Sequence, residues 1–194
     1  MSQWVDYSGT WWASLPCKES ISSLEPILSA IDPEDLFYDV ISKNKPIEAH
    51  HHVTLCMGLP EQWTTEWQNL IRRTKAFSVT CTTLGYFTNP PKEIQGKMRG
   101  WDVLWVKPEV EGTPVQSMHQ WLVDTHGVKQ IHDTYHPHVT LCYLKYGTAQ
   151  KYVETLKFQL LLQFEKIEWK KFRDKTAPVK HLFLDSDDSV GGRF

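Results

Sequence analysis

Apolar and polar residues alternate in several short stretches of the chain, and this alternation predicts strands. Phe77, Val79 and Cys81 alternate with hydroxyl-bearing residues, which is typical of a half-buried strand. Less regular apolar stretches bounded by turn residues predict further strands. These strands are expected over residues 9–16, 51–59 and 101–106, from Pro137 onwards, and over 164–172 and 179–184, with a polar turn around Asp174 between the last two.

Apolar residues at helical spacing predict helices between these strands. The first stripe, from Ile21 to Ile31, contains Pro26, so its helix is expected to begin near that proline or to be kinked there. Three more helices are predicted from stripes around Trp67, Met118 and Tyr152. Residues 32–45 and 89–100 are expected to be loops, the second being a boundary between two lobes, and residues 185–194 are expected to be frayed.

The pentapeptide His-Val-Thr-Leu-Cys occurs twice, at residues 52–56 and again at 138–142. Such a repeat is improbable by chance in 194 residues, so it indicates an internal duplication. Each half of the chain contains strands, a helix and one copy of the repeat. We therefore predict a single α+β domain with antiparallel strands and two similar lobes, at about 1–90 and 100–185, with strand exchange between the lobes allowed.

The repeat carries side chains suited to acid–base chemistry. Side chains alternate along a strand, so His52 and Thr54 share one face, as do His138 and Thr140, while Val and Leu point into a core. An imidazole titrates near neutral pH, so one histidine can accept a proton while the other donates one. The threonine hydroxyls can donate to phosphate oxygens. Two such strands across a cleft predict phosphodiester cleavage without a metal.

A metal site is the competing hypothesis for these histidines. His50 and His52 would share one strand face, with His136 and His138 opposite them. His132 also precedes His136 by four residues, but Pro137 argues against the helix that this spacing would need. No Asp, Glu or Cys cluster completes a ligand set in the sequence, so we predict no metal, with His50, His51 and His136 at the rim of the cleft.

The composition indicates which class of ligand the protein binds and in which cellular compartment it is expected. The formal net charge is −2, whereas proteins that bind long duplexes usually have a basic excess. Most of the nine tryptophans are expected in the core, with one or two stacking on bases. The four cysteines are widely spaced, which favours reduced thiols in a cytoplasmic protein. No signal peptide is evident at the N-terminus, and no apolar run approaches the roughly 18 residues of a membrane span.

The paired motifs resemble those of the two-histidine (2H, LigT-like) phosphoesterase superfamily. The stretches HHHVTLCMGLP and DTYHPHVTLCYLKYG look like its phage branch, which includes the anti-CBASS nucleases that degrade cyclic oligonucleotide signals of antiphage defence. The likeness covers roughly residues 9–184. It implies two antiparallel sheets flanking a central cleft with helices outside, catalytic His52 and His138, phosphate-binding Thr54 and Thr140, and no cofactor.

The resemblance also suggests substrate-binding residues outside the motifs. The family's first strand usually brings an aromatic or basic side chain to the cleft, and Trp11 is preferred over Trp12 because it lies two residues before the small Ala13. Tyr135 either stacks on a base or binds a phosphate, or else packs at the rim. Lys145 either meets a phosphate or is solvated.

The Pro-rich segment at residues 89–100 departs from the compact members of the phage branch. Its cations Lys92, Lys97 and Arg99 form either a lid or a solvated loop. Because of this departure, the sequence does not identify the exact ligand.

The resemblance implies a phosphodiesterase that cleaves 3′–5′ linkages of cyclic di- or trinucleotides, acting in a host cytoplasm if the chain is viral. Two alternatives within the class are cleavage of RNA 2′,3′-cyclic phosphates and of 2′–5′ oligoadenylate. The alternative outside the class is a protein that sequesters cyclic nucleotides without cleaving them. The oligomeric state is not determined by the sequence.

Overall fold

A single eight-stranded antiparallel sheet dominates the computed structural model, which describes residues 10–17, 21–38, 46–94, 96–128, 134–171 and 176–185. In chain order the strands are β1 Trp11–Pro16, β2 His52–Leu59, β3 Phe77–Ile94, β4 Lys97–Pro108, β5 Val139–Lys145, β6 Leu160–Phe164, β7 Lys166–Lys171 and β8 Lys180–Phe183. The helices are α1 Ile21–Leu28, α2 Thr65–Arg73, α3 Pro114–His126 and α4 Ala149–Thr155, with a 3-10 turn at Pro33–Asp35.

The strand order is β6-β3-β4-β5-β2-β1-β7-β8, so the two repeat strands β5 and β2 are central neighbours. They meet at the antiparallel pair Val53 and Val139, the second residue of each pentapeptide. The expectation of two separate sheets is therefore wrong, because this central pair joins both groups of strands into one sheet. The group β2-β1-β7-β8 combines strands from the beginning and the end of the chain, whereas β6-β3-β4-β5 comes from its middle part.

The sheet is curled, and the connection between β6 and β7 makes this necessary. The predicted strand at 164–172 is interrupted after Phe164, and only Glu165 separates β6 from β7. Yet β6 lies at one edge of the sheet, where it pairs with β3, and β7 lies near the other edge, where it pairs with β1. One residue spans only a few ångströms, so these distant parts of the sheet must curve toward each other. The predicted turn around Asp174 and the residues after Asp185 lie outside the described ranges.

Helices cover one face of the sheet and build the core there. The predicted stripe of α3 is confirmed, since Val115, Met118 and Leu122 are at most 1% exposed. Its helix packs on β2, while α4 packs on β3 and β4, and α2 packs on β8. Trp67 of α2 is fully buried and stacks on Trp121 at 5.1 Å between ring centroids. Most large aromatic burial thus lies on the face opposite the predicted cleft.

The first helix begins earlier than its proline suggests. Helix α1 starts at Ile21, and Pro26 lies inside it. Proline removes one helical hydrogen bond, but Leu24, Ile27 and Leu28 are at most 9% exposed and pack into the core. Burial of this apolar stripe therefore outweighs the local cost of the proline.

Residues 89–94 and 97–100, predicted to lie in a loop, instead belong to the paired strands of a β-hairpin. Strands β3 and β4 continue into it with the pairs Lys92–Arg99 and Glu93–Met98. The two prolines are accommodated by an irregularity between Asn89 and Lys92, and proline is tolerated in strands at such bulges. At Gly100 an added Cβ would lie 2.7 Å from the Pro91 nitrogen, so this close approach requires glycine. A role as a lid stays a prediction.

All four cysteines lie in the described part of the chain, and none forms a disulfide there, as predicted. Cys56, Cys81 and Cys142 are buried, and Cys17 is half-buried. Burial raises the pKa of Cys56 to about 11 and that of Cys142 to about 12. These thiols are thus unreactive core side chains. Within the same described ranges, none of the helices has both the length and the apolar character needed to cross a bilayer.

Candidate active site

The two pentapeptides adopt matching environments in β2 and β5. In both copies the histidine and threonine are half-buried, whereas Val, Leu and Cys are at most 6% exposed. The predicted alternation between a cleft face and a core face is therefore present in each strand. With Val53 opposite Val139, antiparallel register directs His52 toward Thr140 and Thr54 toward His138. The four predicted catalytic side chains share one face at the centre of the sheet.

Each predicted catalytic histidine is oriented by the same backbone hydrogen bond. Nδ1 of His52 lies 2.6 Å from the carbonyl oxygen of His50, and Nδ1 of His138 lies 2.9 Å from that of His136. A carbonyl oxygen can only accept, so Nδ1 carries the proton in both rings. In the neutral state the lone pair is then on Nε2, which makes Nε2 the atom that exchanges protons in either imidazole.

An aromatic ring also packs against each histidine. Trp12 meets His52 edge to face at 4.9 Å between ring centroids, and Phe87 meets His138 edge to face at the same distance. The ring centroid of Trp105 lies 6.0 Å from that of His138 and 5.2 Å from that of Phe87. This face of the sheet thus has an aromatic wall beside both predicted catalytic histidines.

The choice of Trp11 over Trp12 is wrong. Trp11 is 4% exposed and Ala13 is fully buried, so the small residue used as a guide faces the core. Ser14, not Ala13, lies opposite Thr54 in the β1–β2 pair and marks the cleft face. Directly paired residues share a face and side chains alternate, so Trp12 is the tryptophan on that face.

The hydroxyl of Tyr135 bonds to the main chain of β2, so it is not directed at a ligand. Its Oη donates to the carbonyl oxygen of Thr54 at 2.8 Å, and burial raises its pKa, which keeps this donor protonated. Its ring stacks on His119, with 3.7 Å between centroids, and His119 Nδ1 donates in turn to the Leu55 carbonyl at 2.6 Å. The predicted contact of Tyr135 with a phosphate is therefore corrected to a contact with the main chain of β2.

His51 was predicted at the rim, but it is buried and makes the reciprocal contact. It is 6% exposed, and its Nδ1 donates to the carbonyl oxygen of Thr140 at 2.9 Å. The two contacts are thus symmetric. Tyr135, just before the second repeat, bonds to Thr54 of the first, and His51, just before the first repeat, bonds to Thr140 of the second. The consecutive histidines gave no signal for this, because the bond depends on the pairing of β2 with β5.

Lys145 lies at the end of β5, five residues beyond Thr140, and is exposed. It is near Asp35, whose pKa is lowered chiefly by a hydrogen bond from Lys151 and, to a smaller extent, by the charge of Lys145. A strand advances by about 3.3 Å per residue, so Lys145 is far along the strand from the motif. Its contact with a phosphate stays a prediction.

The geometry does not favour the metal hypothesis. His50 and His136 are exposed, and their carbonyl groups accept hydrogen bonds from the catalytic rings. Among the residues that the structure describes, no group of three or more His, Cys, Asp or Glu side chains is placed to hold an ion. His132 lies outside those residues.

The surroundings of His52 favour its neutral form. Its pKa is lowered chiefly by desolvation, against the opposing effect of the hydrogen bond to the His50 carbonyl. The nearby charge of Lys170 lowers this pKa further, while Glu48 and Glu168 raise it. A neutral imidazole near pH 7 is ready to accept a proton.

A glycine in β3 makes room for the aromatic wall beside His138. Gly85 lies opposite Trp105, and an added Cβ would be 2.1 Å from the Trp105 ring. The Gly85→Ala variant is expected to displace this ring and lower kcat by about tenfold to a hundredfold, because small misplacements near reacting groups are costly. Steady-state kinetics of purified protein would measure this effect.

A second substitution provides the control for Gly85→Ala. The Gly85→Ala/Trp105→Leu double variant relieves the clash and is expected to recover part of the lost kcat. Equal kcat in wild type and Gly85→Ala would show that displacement of the Trp105 ring does not disturb His138. Sequence alone offers one signal here, because a glycine inside a strand often marks the close approach of another group.

Comparison with known proteins adds support at the level of the fold. No protein-family profile matches the sequence. No curated protein matches it either. Among solved structures, TT0787 of Thermus thermophilus is 19% identical with a TM-score of 0.53, and the match covers 91% of this chain and 95% of that chain. A structure described as a phosphoesterase is 16% identical with a TM-score of 0.50, covering 92% and 96% of the two chains.

The chain therefore shares the fold of these two structures, one of which is described as a phosphoesterase. The likeness extends over nearly the whole of each chain, and in this chain the fold is built on one curled sheet in place of the two expected. At identities below 20%, a shared fold does not indicate a shared substrate.

Proposed function

We propose that this protein is a metal-independent phosphodiesterase in which His52 and His138 form the acid–base pair. The observation that carries the proposal is the mirrored environment of the two histidines. Both lie two residues before a cleft-facing threonine, both donate Nδ1–H to the carbonyl two residues earlier, and both have an aromatic ring against them. Two oriented imidazoles supply both proton transfers of a phosphodiester cleavage.

His52 is the general base in this proposal, and His138 is the general acid. Nε2 of His52 takes the proton from the attacking hydroxyl or water as its oxygen bonds to phosphorus. The bond from phosphorus to the leaving oxygen breaks, and Nε2–H of His138 protonates that oxygen. The hydroxyls of Thr54 and Thr140 donate to the non-bridging oxygens, where negative charge increases. The lowered pKa of His52 supports its assignment as the base.

The proposed substrate is a cyclic di- or trinucleotide with 3′–5′ linkages, of the kind used as a defence signal. The cleft is lined by aromatic rings, and Phe87 is 39% exposed and so accessible to a base. Each stack of a base on an aromatic ring contributes about 1–3 kcal/mol. A net charge of −2 suits a ligand with few phosphates better than a long nucleic acid. The likeness of the motifs to the phage branch adds to this choice.

Turnover of a substrate panel in EDTA tests the proposal. Cyclic 3′–5′ dinucleotides are expected to be cleaved with kcat/KM at least about tenfold above those of RNA with a 2′,3′-cyclic end and of 2′–5′ oligoadenylate, a gap of roughly 1.4 kcal/mol. EDTA is expected to leave the rates unchanged, because both proton transfers come from imidazoles.

Three outcomes of the panel count against parts of the proposal. Preference for either of the other two substrates replaces the cyclic dinucleotide with an RNA end or a 2′–5′ linkage. Loss of activity in EDTA that Zn²⁺ or Mn²⁺ restores argues for the histidine metal site. Binding without product, with substrate in excess over protein, indicates a sequestering protein.

A further inference from the structure

The two halves of the cleft differ in chemistry although their catalytic motifs match. On the His138 side, the residues paired across from Thr140 are Trp105 and then Gly85, so an indole ring occupies the space beside the motif. On the His52 side, the residues paired across from Thr54 are Ser14 and then Glu168. The His138 half is therefore aromatic, whereas the His52 half combines the Trp12 ring with polar and charged side chains.

A buried carboxylate with several basic neighbours lies in the polar half. Glu168 of β7 is 9% exposed. It pairs with Lys170 through Oε2, and its Oε1 lies 3.6 Å from Lys166 Nζ and 3.7 Å from His181 Nδ1. Two lysines face a single carboxylate, so this cluster carries at least one net positive charge. Such an excess on a cleft face attracts an anion.

Lys170 is the member of this cluster that is nearest the catalytic residues. Its Nζ lies 5.7 Å from the centroid of the Trp12 ring, and the same ring packs against His52. The Lys170 side chain is 23% exposed, so a ligand can reach its ammonium group. An ammonium has three N–H donors, and it can therefore keep Glu168 while it donates to a further oxygen.

We propose that Lys170 binds a second phosphate of the substrate, one nucleotide away from the phosphate held between the histidines. This inference rests on the proposed phosphodiesterase function and gives the substrate a direction in the cleft. The chain of phosphates extends toward Trp12 and Lys170, and a base on the other side of the scissile phosphate packs on Phe87. Cyclic dinucleotides have the required second phosphate, whereas a simple phosphodiester does not.

The test compares substrates with one and with two phosphates. Bis(p-nitrophenyl) phosphate has one phosphodiester, and a cyclic 3′–5′ dinucleotide has two. In Lys170→Gln, the ratio of kcat/KM for the dinucleotide to kcat/KM for bis(p-nitrophenyl) phosphate is expected to fall at least tenfold, mostly through KM. The ratio removes any effect that Lys170 has on His52, because both substrates use the same histidines. The salt dependence for the dinucleotide should become shallower by about 0.7–1 in logarithmic slope.

Lys166→Gln is the matched control, because it removes the other lysine that faces Glu168, two residues away on the same strand. Its substrate ratio is expected to fall much less than that of Lys170→Gln, because Lys166 contributes charge to the cluster but is not proposed to contact the phosphate. An unchanged substrate ratio in Lys170→Gln, including one that results from equal losses on both substrates, would overturn the inference. A fall of this ratio in Lys166→Gln as large as that in Lys170→Gln would also overturn it. If wild type cleaves bis(p-nitrophenyl) phosphate but not the cyclic dinucleotide, the inference about Lys170 is overturned. The proposed phosphodiesterase function is then retained. Cleavage of neither substrate would overturn the proposed function itself.

Discussion

Replacement of either His52 or His138 with alanine is expected to lower kcat/KM by about a thousandfold or more, since each proton transfer contributes roughly 10²–10⁴ in rate. The double variant is expected to lose little beyond the single variants, because the two groups act as one unit. Both side chains are half-buried on the cleft face, so the variants should remain folded. Steady-state kinetics together with thermal unfolding would measure both expectations.

His136→Ala is the matched control for the histidine variants. It removes an exposed imidazole two residues from His138 but keeps the carbonyl oxygen that accepts from His138 Nδ1. Its kcat/KM is expected to remain within about twofold of wild type, as for most surface substitutions. Near-normal turnover in His52→Ala or His138→Ala would reject the paired mechanism.

The pH profile of kcat/KM separates the roles of the two histidines. A general base must be neutral, so activity falls as the pH drops through its pKa. Because the pKa of His52 is lowered below its ordinary value of 6.5, wild type should keep activity to a correspondingly lower pH. The acidic limb should disappear in the residual activity of His52→Ala. Its persistence there would assign the base to another group.

Removal of the threonine hydroxyls is the change with the next largest expected effect. Thr54→Val and Thr140→Val should each lower kcat by about 10²-fold, the scale found when one donor to a developing oxyanion is removed. The loss should appear in kcat more than in KM, because charge on the non-bridging oxygens rises in the transition state. Valine keeps the β-branched shape that suits a strand.

Thr54→Ser and Thr140→Ser are the controls for the valine variants, because serine keeps the hydroxyl and lacks only the methyl group. The carbonyl groups of both threonines accept from Tyr135 and His51, and neither exchange alters those hydrogen bonds. The serine variants should therefore retain most of the activity. A serine variant as impaired as its valine counterpart would show that threonine acts through packing and not through its hydroxyl.

The sequence predicted the catalytic quartet because that prediction needed only local rules. Period-two alternation in a strand places His52 with Thr54, and His138 with Thr140, while the valine between them faces inward. The repeat itself indicated that two such faces exist. The stripe of α3 followed from the same kind of reasoning, since helical spacing identifies residues that share one side of a helix.

Local alternation does not state which face of a strand is buried, and here the tertiary structure decided. Trp11 and Ala13 share a face, as expected, but that face packs on the core, and Trp12 lies in the cleft. The pairing of Ser14 with Thr54 sets this, and strand pairing is a long-range property. Residues 89–100 likewise form a hairpin because β3 and β4 extend each other despite two prolines.

The sequence by itself thus determined which side chains perform the proposed chemistry, because neighbouring residues carry them in a fixed geometry. The tertiary structure decided what surrounds those side chains. Phe87 against His138, Tyr135 on the Thr54 carbonyl and Lys170 over Trp12 each join residues that are distant in the chain. Such contacts depend on strand order and on the curl of the sheet, which no local pattern contains.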